Sequence, residues 1–327
     1  MKTLRALSVL LLAALLVACG SEKKAKKSLG ASQHVAFELL VVTNKDWYAS
    51  GNGEPLRSIV NTQIEGLTQP EYYFRPVVIN PSAFQRRFPF YAHIIKADVD
   101  AQYAAAQCTV ERNVTCQPQI VVTLTAPDNA QMAQLCEANR DRILSLFIED
   151  EFAREQKLLR KNHSGVVDLE AKNRFGATIL APVDLTLTRK SDSLFSWIST
   201  EDDERSLCLY ALPMHDVGDS LALEWLLQKR DSVTQRNIQG EHEGQFVHTN
   251  HPYCTAKSVS VGGRKALQLR GLWDMKGGSF GGPFVAYAFP DSAHQLLLVA
   301  DAFVLAPGKA KRAMVFQMEA ALRTLNF

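Results

Sequence analysis

The chain lacks a charge excess of either sign: 36 Lys and Arg stand against 34 Asp and Glu in 327 residues. The basic surplus that neutralises nucleic-acid phosphates is therefore missing, and no nucleic-acid partner is expected. It is also short of long apolar runs. The first, Leu7–Val17, is interrupted by one Ser and falls well below the roughly 20 residues that span a bilayer as a helix. Cysteine is scarce, with six in all. Disorder is excluded from the other direction, because 46% of residues are hydrophobic and only 21% charged, enough apolar surface to build a core. The length accommodates one large domain or two ordinary ones.

What is present begins at the N-terminus. Lys2 and Arg5 precede the apolar run, the arrangement of an export signal. Leu16-Val17-Ala18-Cys19-Gly20 follows and resembles the lipobox of bacterial lipoproteins, in which small residues admit the signal peptidase and the cysteine is acylated. The resemblance implies a signal peptide over 1–18, lipidation of Cys19 and a flexible lipidated tether over 19–33, whose Ser21–Lys27 stretch carries four lysines and one glutamate. Each buried CH2 of an acyl chain contributes about 0.8 kcal/mol, so several chains hold a soluble domain on a membrane. The expected location is the cell envelope, on the periplasmic face of the outer membrane, with the lipid on Cys19 as the membrane partner. In such an oxidising space Cys108 and Cys116, flanking a short polar stretch, are candidates for a local disulfide, whereas Cys136 falls on an apolar helical stripe.

Beyond the tether the patterning predicts an α+β fold of mostly antiparallel sheets with helices packed on one face. Apolar and β-branched runs predict strands at 37–42, 72–79, 90–99 and 119–125, with a helix after Pro55 between the first two. Met132, Cys136, Ile143, Phe147, Phe152 and Leu159 recur at helical spacing, predicting one long helix after Asp128. Strands are expected again at 206–212, 265–272, 283–289 and 295–305, and Gly176–Trp197 alternates like one or two more. Asp219 is placed to cap a helix carrying Leu223, Leu226 and Leu227. A strand, an Ala-Pro step and an amphipathic helix occur both at Ala126-Pro127 and at Ala306-Pro307. This repetition is compatible with two related α+β halves, 34–165 and 166–327, and equally with coincidence between two common turns.

Candidate chemistry is thin. Gly277-Gly278-Ser279-Phe280-Gly281 fits the G-x-S-x-G nucleophile elbow, but the following residues read as strand where the elbow needs a helix. His248, His251 and Cys254 lie at three-residue intervals and form a weak metal candidate, with Glu241 or Glu243 as a fourth ligand. Glu149-Asp150-Glu151 reads as a solvated helix face and Glu201–Glu204 as a solvated turn. No cofactor is expected, and no pair of carboxylates is nominated as acid and base.

Arg270-Gly271-Leu272-Trp273-Asp274, Gly281-Gly282-Pro283-Phe284, Gln69-Pro70-Glu71 with Tyr73-Phe74, and Arg236-Asn237-Ile238 with Gly240 resemble recurring blocks of a Bacteroidetes lipoprotein family, domain of unknown function 4837. The resemblance spans nearly all of the mature chain and brings no activity with it. Within it, Arg270, Trp273, Asp274, Gly281, Gly282 and Pro283 form the candidate binding surface. Trp offers amphipathic area, Gly a close backbone approach and Arg a partner for carboxylate or phosphate. The expectation is a binding or scaffolding component of the envelope with a protein or glycan partner; the alternative is a hydrolase acting on envelope glycan or peptide.

Overall fold

The structure, a computed structural model, describes residues 29–191, 194–199, 203–214 and 223–327. Cys19, the signal peptide, the first part of the tether, Glu201, Asp202 and the predicted cap Asp219 lie outside the described residues.

The fold is α+β, built on two sheets. The first has the order β2-β1-β3-β5-β4, with β1 Glu38–Val42, β2 Arg75–Ile79, β3 His93–Val99, β4 Gln107–Arg112 and β5 Ile120–Ala126. β1 pairs in parallel with both β2 and β3, and β3 with β5; only β4 joins antiparallel. This sheet departs from the antiparallel expectation because long crossovers return the chain in the same direction. One crossover carries α1 (Lys45–Ala49) and α2 (Glu54–Val60); another, over 80–92, is built from short 3-10 turns, one of which takes Phe90, so that β3 begins at His93 and not at Phe90. α1, α2 and the long α3 (Asn129–Lys161) pack on one face. There Met132, Cys136, Ile143 and Phe147 of α3 meet Ile95, Val122 and Leu124. The Asp128 carboxylate caps α3 by accepting from the Gln131 amide at 2.8 Å.

After α4 (Gly165–Phe175), a helix the sequence did not signal, a second sheet runs β6-β7-β8-β12-β11-β10-β9, antiparallel throughout. Its strands are β6 Leu185–Lys190, β7 Phe195–Ser199, β8 Glu204–Pro213, β9 Phe246–Val261, β10 Arg264–Lys276, β11 Gly281–Asp291 and β12 Leu296–Leu305. Helices cover both faces of this sheet, not one. Val167 and Ala171 of α4, with Val315, Met318 and Leu322 of α6 (Arg312–Leu322), pack against Val285, Ala300 and Val304. Leu226, Leu227 and Val233 of α5 (Leu223–Asn237) pack on the other face against Leu269, Phe284 and Val299. The central strands β11 and β12 are buried along nearly their whole length, so both faces need cover. The two halves thus differ in strand order and direction despite sharing the Ala-Pro step. That step does not open α6, which starts at Arg312.

The joint between the sheets is made by α3 and α6. Phe152 stacks on Phe316 with centroids 4.0 Å apart, and Phe37 meets Phe316 edge-on at 5.0 Å. Glu71 reaches from the first half to the start of α6, accepting from the backbone amides of Lys311 at 2.6 Å and Arg312 at 3.0 Å. It satisfies two of the amides that a helix N-terminus leaves free.

Candidate functional site

The six residues of the expected binding surface lie on the β10–β11 hairpin, but they do not form one surface. Strand alternation sends side chains three apart to opposite faces, and Arg270 and Trp273 separate accordingly. Trp273 is buried, its indole donating to the Val304 carbonyl at 3.3 Å and meeting Phe303 edge-on at 5.3 Å. Gly281 and Gly282 are required by packing: a Cβ at Gly281 would lie 2.3 Å from the Trp273 oxygen, and one at Gly282 2.0 Å from the Val304 oxygen. Pro283 is buried beside them. Asp274 pairs across the strand with His248, 3.3 Å from Oδ1 to Nδ1.

On the Trp273 side is a cleft of about 510 Å3. Its apolar lining includes Trp273, Met275 and Phe303, with Phe280 from the hairpin tip. The chain after α5, Ile238 to Glu241, forms another wall, and Ser196, Ser206 and Glu204 add polar groups. Three of the sequence blocks, 236–240, 270–274 and 281–284, thus converge on or beside one cavity.

On the opposite side Arg270 ion-pairs with Glu319 of α6 in full burial. Tyr287 donates to the same carboxylate at 2.7 Å and Gln268 at 2.6 Å. Burial would weaken the Arg270 charge, but the Glu319 carboxylate outweighs it and holds the guanidinium protonated. Burial, reinforced by Glu319, pushes the Tyr287 hydroxyl far above its ordinary range. These groups satisfy one another and edge a cavity of about 320 Å3 to which the first half contributes Glu65, Tyr73 and Glu149. Arg270 is therefore a structural cation.

The metal candidate is taken apart by the fold. His248, His251 and Cys254 belong to β9, where residues 251–254 bulge out between Asn250, paired with Leu272, and Thr255, paired with Arg270. The Cys254 thiol turns onto Gly271, where a Cβ would lie 2.4 Å from Sγ, and burial pushes it up to about 11. The two imidazoles instead face carboxylates: His251 Nε2 is 2.8 Å from Asp231 Oδ2, and His248 Nε2 is 3.8 Å from the same atom. Among the described residues no group of three is placed to hold a metal ion. Ser279 sits exposed between β10 and β11, a strand-loop-strand setting without the helix an elbow needs.

Nor is the disulfide formed; the five described cysteines are free thiols. Cys108 pairs with Leu124 up the extended β4, four residues from Arg112 at the strand's end. At about 3.3 Å per residue this carries it roughly 13 Å from the turn that holds Cys116, beyond the ~7 Å reach of a bridge.

Sequence reasoning missed one cluster. Glu149-Asp150-Glu151 is not a solvated face, because Glu151 is buried. His34 Nε2 lies 3.0 Å from Glu151 Oε1, and the Phe37 amide donates to that oxygen at 3.1 Å. His93, fully buried, sets Nε2 2.8 Å from Asp150 Oδ2, which Arg154 also approaches at 2.6 Å. Its Nδ1 faces Glu151 Oε1 at 3.4 Å without completing a hydrogen bond. Burial alone would raise Asp150; the hydrogen bonds from His93 and Arg154 overcome it and bring the carboxyl down to about 2. The available signal was position: Glu151 falls four residues after Phe147 on the apolar stripe. His34, Glu151 and Arg154 of this cluster line a cavity of about 580 Å3 between α3 and α6.

The fold and its cavities define an α+β protein with an apolar cleft in its antiparallel half. Residues 164–324 match the family described as Domain of unknown function (DUF4837); this half is a DUF4837 domain. Residues 32–160 match a different family, Domain of unknown function (DUF8532). The resemblance expected over nearly the whole chain is thus divided between two families, and the Gln69–Phe74 block falls in the second. No curated protein matches the chain. Among solved structures it is similar to the Ran-binding protein Mog1p of Saccharomyces cerevisiae (13% identity, 46% of this chain and 91% of that one, TM-score 0.31). A Bacteroides thetaiotaomicron structure shares 12% identity over 46% of this chain and 44% of that one, TM-score 0.27. Human StAR-related lipid transfer protein 5 shares 9% over 54% and 93%, TM-score 0.20. Similarity at this level assigns no function.

Proposed function

We propose that the chain is an envelope lipoprotein, anchored through Cys19, that binds a protein or glycan partner at the Trp273 cleft. The observation that carries the binding reading is the convergence of three separated stretches, 238–241, 273–280 and 303–305, around one cavity with apolar lining and polar groups beside it. Such a lining suits capture of an apolar side chain or a sugar face. It also supplies hydroxyls from Ser196 and Ser206 and carboxylates from Glu204 and Glu241, which suit hydrogen bonding to a polar edge of the partner. The anchor rests on the Leu16–Gly20 lipobox and the charged, apolar leader before it. No helix among the described residues is long and apolar enough to cross a membrane.

One experiment in the native host tests both parts. Wild-type chain is expected in the detergent phase and Cys19→Ser in the aqueous phase. A photoreactive side chain at Phe280, at the cleft, is expected to give a discrete adduct, and one at the exposed Tyr253 none. Equal partitioning of the two chains rejects the anchor; indistinguishable adduct patterns reject the cleft.

A further inference from the structure

The groove between α3 and α6 is separate from the Trp273 cleft and differs from it in charge. Glu151, Arg154, Glu155, Leu158 and Lys161 recur at helical spacing along one face of α3 and form one wall. Ala313, Met314 and Gln317 of α6 form the other, and Phe37 and Phe316 contribute apolar surface between them. At the inner end Glu151 is already held by His34 and the Phe37 amide, so it presents no unmet charge to an occupant. Burial raises the Glu155 carboxyl above its ordinary value, against a side-chain hydrogen bond with Gln317 that lowers it.

The outer end is the reverse. Leu158 is 59% exposed, and Lys157 and Lys161 on either side of it are exposed and make no ion pair among the described residues. Lysine in a last helical turn also complements the helix dipole, but Lys157 stands a turn earlier. An apolar trough ending in two unpaired ammonium groups is complementary to a long chain with an anionic head. The position of the groove agrees. Backbone bonds from Ser32 to Gln117 and from Gln33 to Phe90 fix the N-terminal segment, which places His34 in the groove wall. The twelve residues from Cys19 to Gly30 extend at most about 43 Å.

We infer that this groove binds a single-chain anionic lipid from the membrane to which the tether attaches, its tail along Leu158, Met314 and Phe316 and its head on Lys157 and Lys161. The source of the lipid rests on the anchor proposed above; the groove itself does not. The test therefore uses the full chain carrying Cys19→Ser, free of its own acyl groups, with spin-labelled stearate and a spin-labelled quaternary ammonium of equal chain length as probes. Stearate is expected to be immobilised at one per chain and at least tenfold more tightly than the cation. Lys157→Glu with Lys161→Glu, both at exposed positions, should weaken stearate at least tenfold and reverse the preference. Leu158→Asp should abolish immobilisation, and Lys276→Glu on the distant hairpin should change nothing. Equal affinity for the two probes, or stearate binding indifferent to Lys157 and Lys161, overturns the proposal. Charge-selective binding by this chain, combined with failure of the wild type to enter the detergent phase, keeps the groove and removes the anchor.

Discussion

At the scale of residues, several charged groups buried in this protein are paired across long sequence separations. Arg230 of α5 is fully buried, with Nε 2.7 Å from Asp301 Oδ2, Nη1 2.7 Å from the Thr249 hydroxyl and its guanidinium 4.0 Å from the Phe284 centroid. Removing one partner of such a pair usually costs about 3–5 kcal/mol, although replacing both by apolar groups is often neutral. Asp150 offers the clearest test. Its folded value, about 2, lies below the roughly 3.9 of an unfolded aspartate. The native state therefore binds this proton more weakly than the unfolded one, and the stability it contributes is complete above about pH 4 and lost as pH falls towards 2. Asp150→Asn is expected to flatten the decline in urea midpoint across that window; a decline as steep as the wild type's would refute the assignment.

At the scale of elements, α6 depends on a residue some 240 positions away. Its own N-cap residue, Lys311, makes no side-chain capping bond, and Glu71 accepts from the first amides instead. A carboxylate there also complements the positive end of the helix dipole. Glu71→Ala is expected to cost about 0.5–2 kcal/mol and to speed hydrogen exchange at the Lys311 and Arg312 amides before any other part of α6. Unchanged exchange at those amides would show that the cap is dispensable. The elements legible in the sequence were those with a clear local pattern: the helices α2, α3 and α5 and the strands β1, β2, β3, β5, β8, β10, β11 and β12. β9 was hidden because His248 to Cys254 interrupt it with a bulge, and α4 because Val166 and Leu169 are exposed, which blurs its apolar stripe.

At the scale of the whole molecule, the two sheets share one joint. Phe37, Phe152 and Leu159 from the first half and Phe316, Ala320 and Ala321 from α6 form a single apolar cluster. Arg323 of the second half pairs with Glu149 of the first at 2.7 Å. Neither half can unfold without exposing this cluster, so the two should melt together. Far-ultraviolet circular dichroism and tryptophan fluorescence are expected to give one coincident urea transition; two separated midpoints would mean that the halves are independent.

The sequence by itself determined the α+β class and the register of the long helix, because periodicity is a property of one segment and its own backbone. It also carried the N-terminal leader pattern on which the anchor proposal stands. The tertiary structure decided which charges are interior. Arg270 and Trp273 parted to opposite faces of one strand, Glu151 became a buried acceptor and Glu71 a helix cap, since each outcome depends on which distant segment lies opposite. The cavities follow the same logic, being spaces between elements that no single stretch of chain encloses.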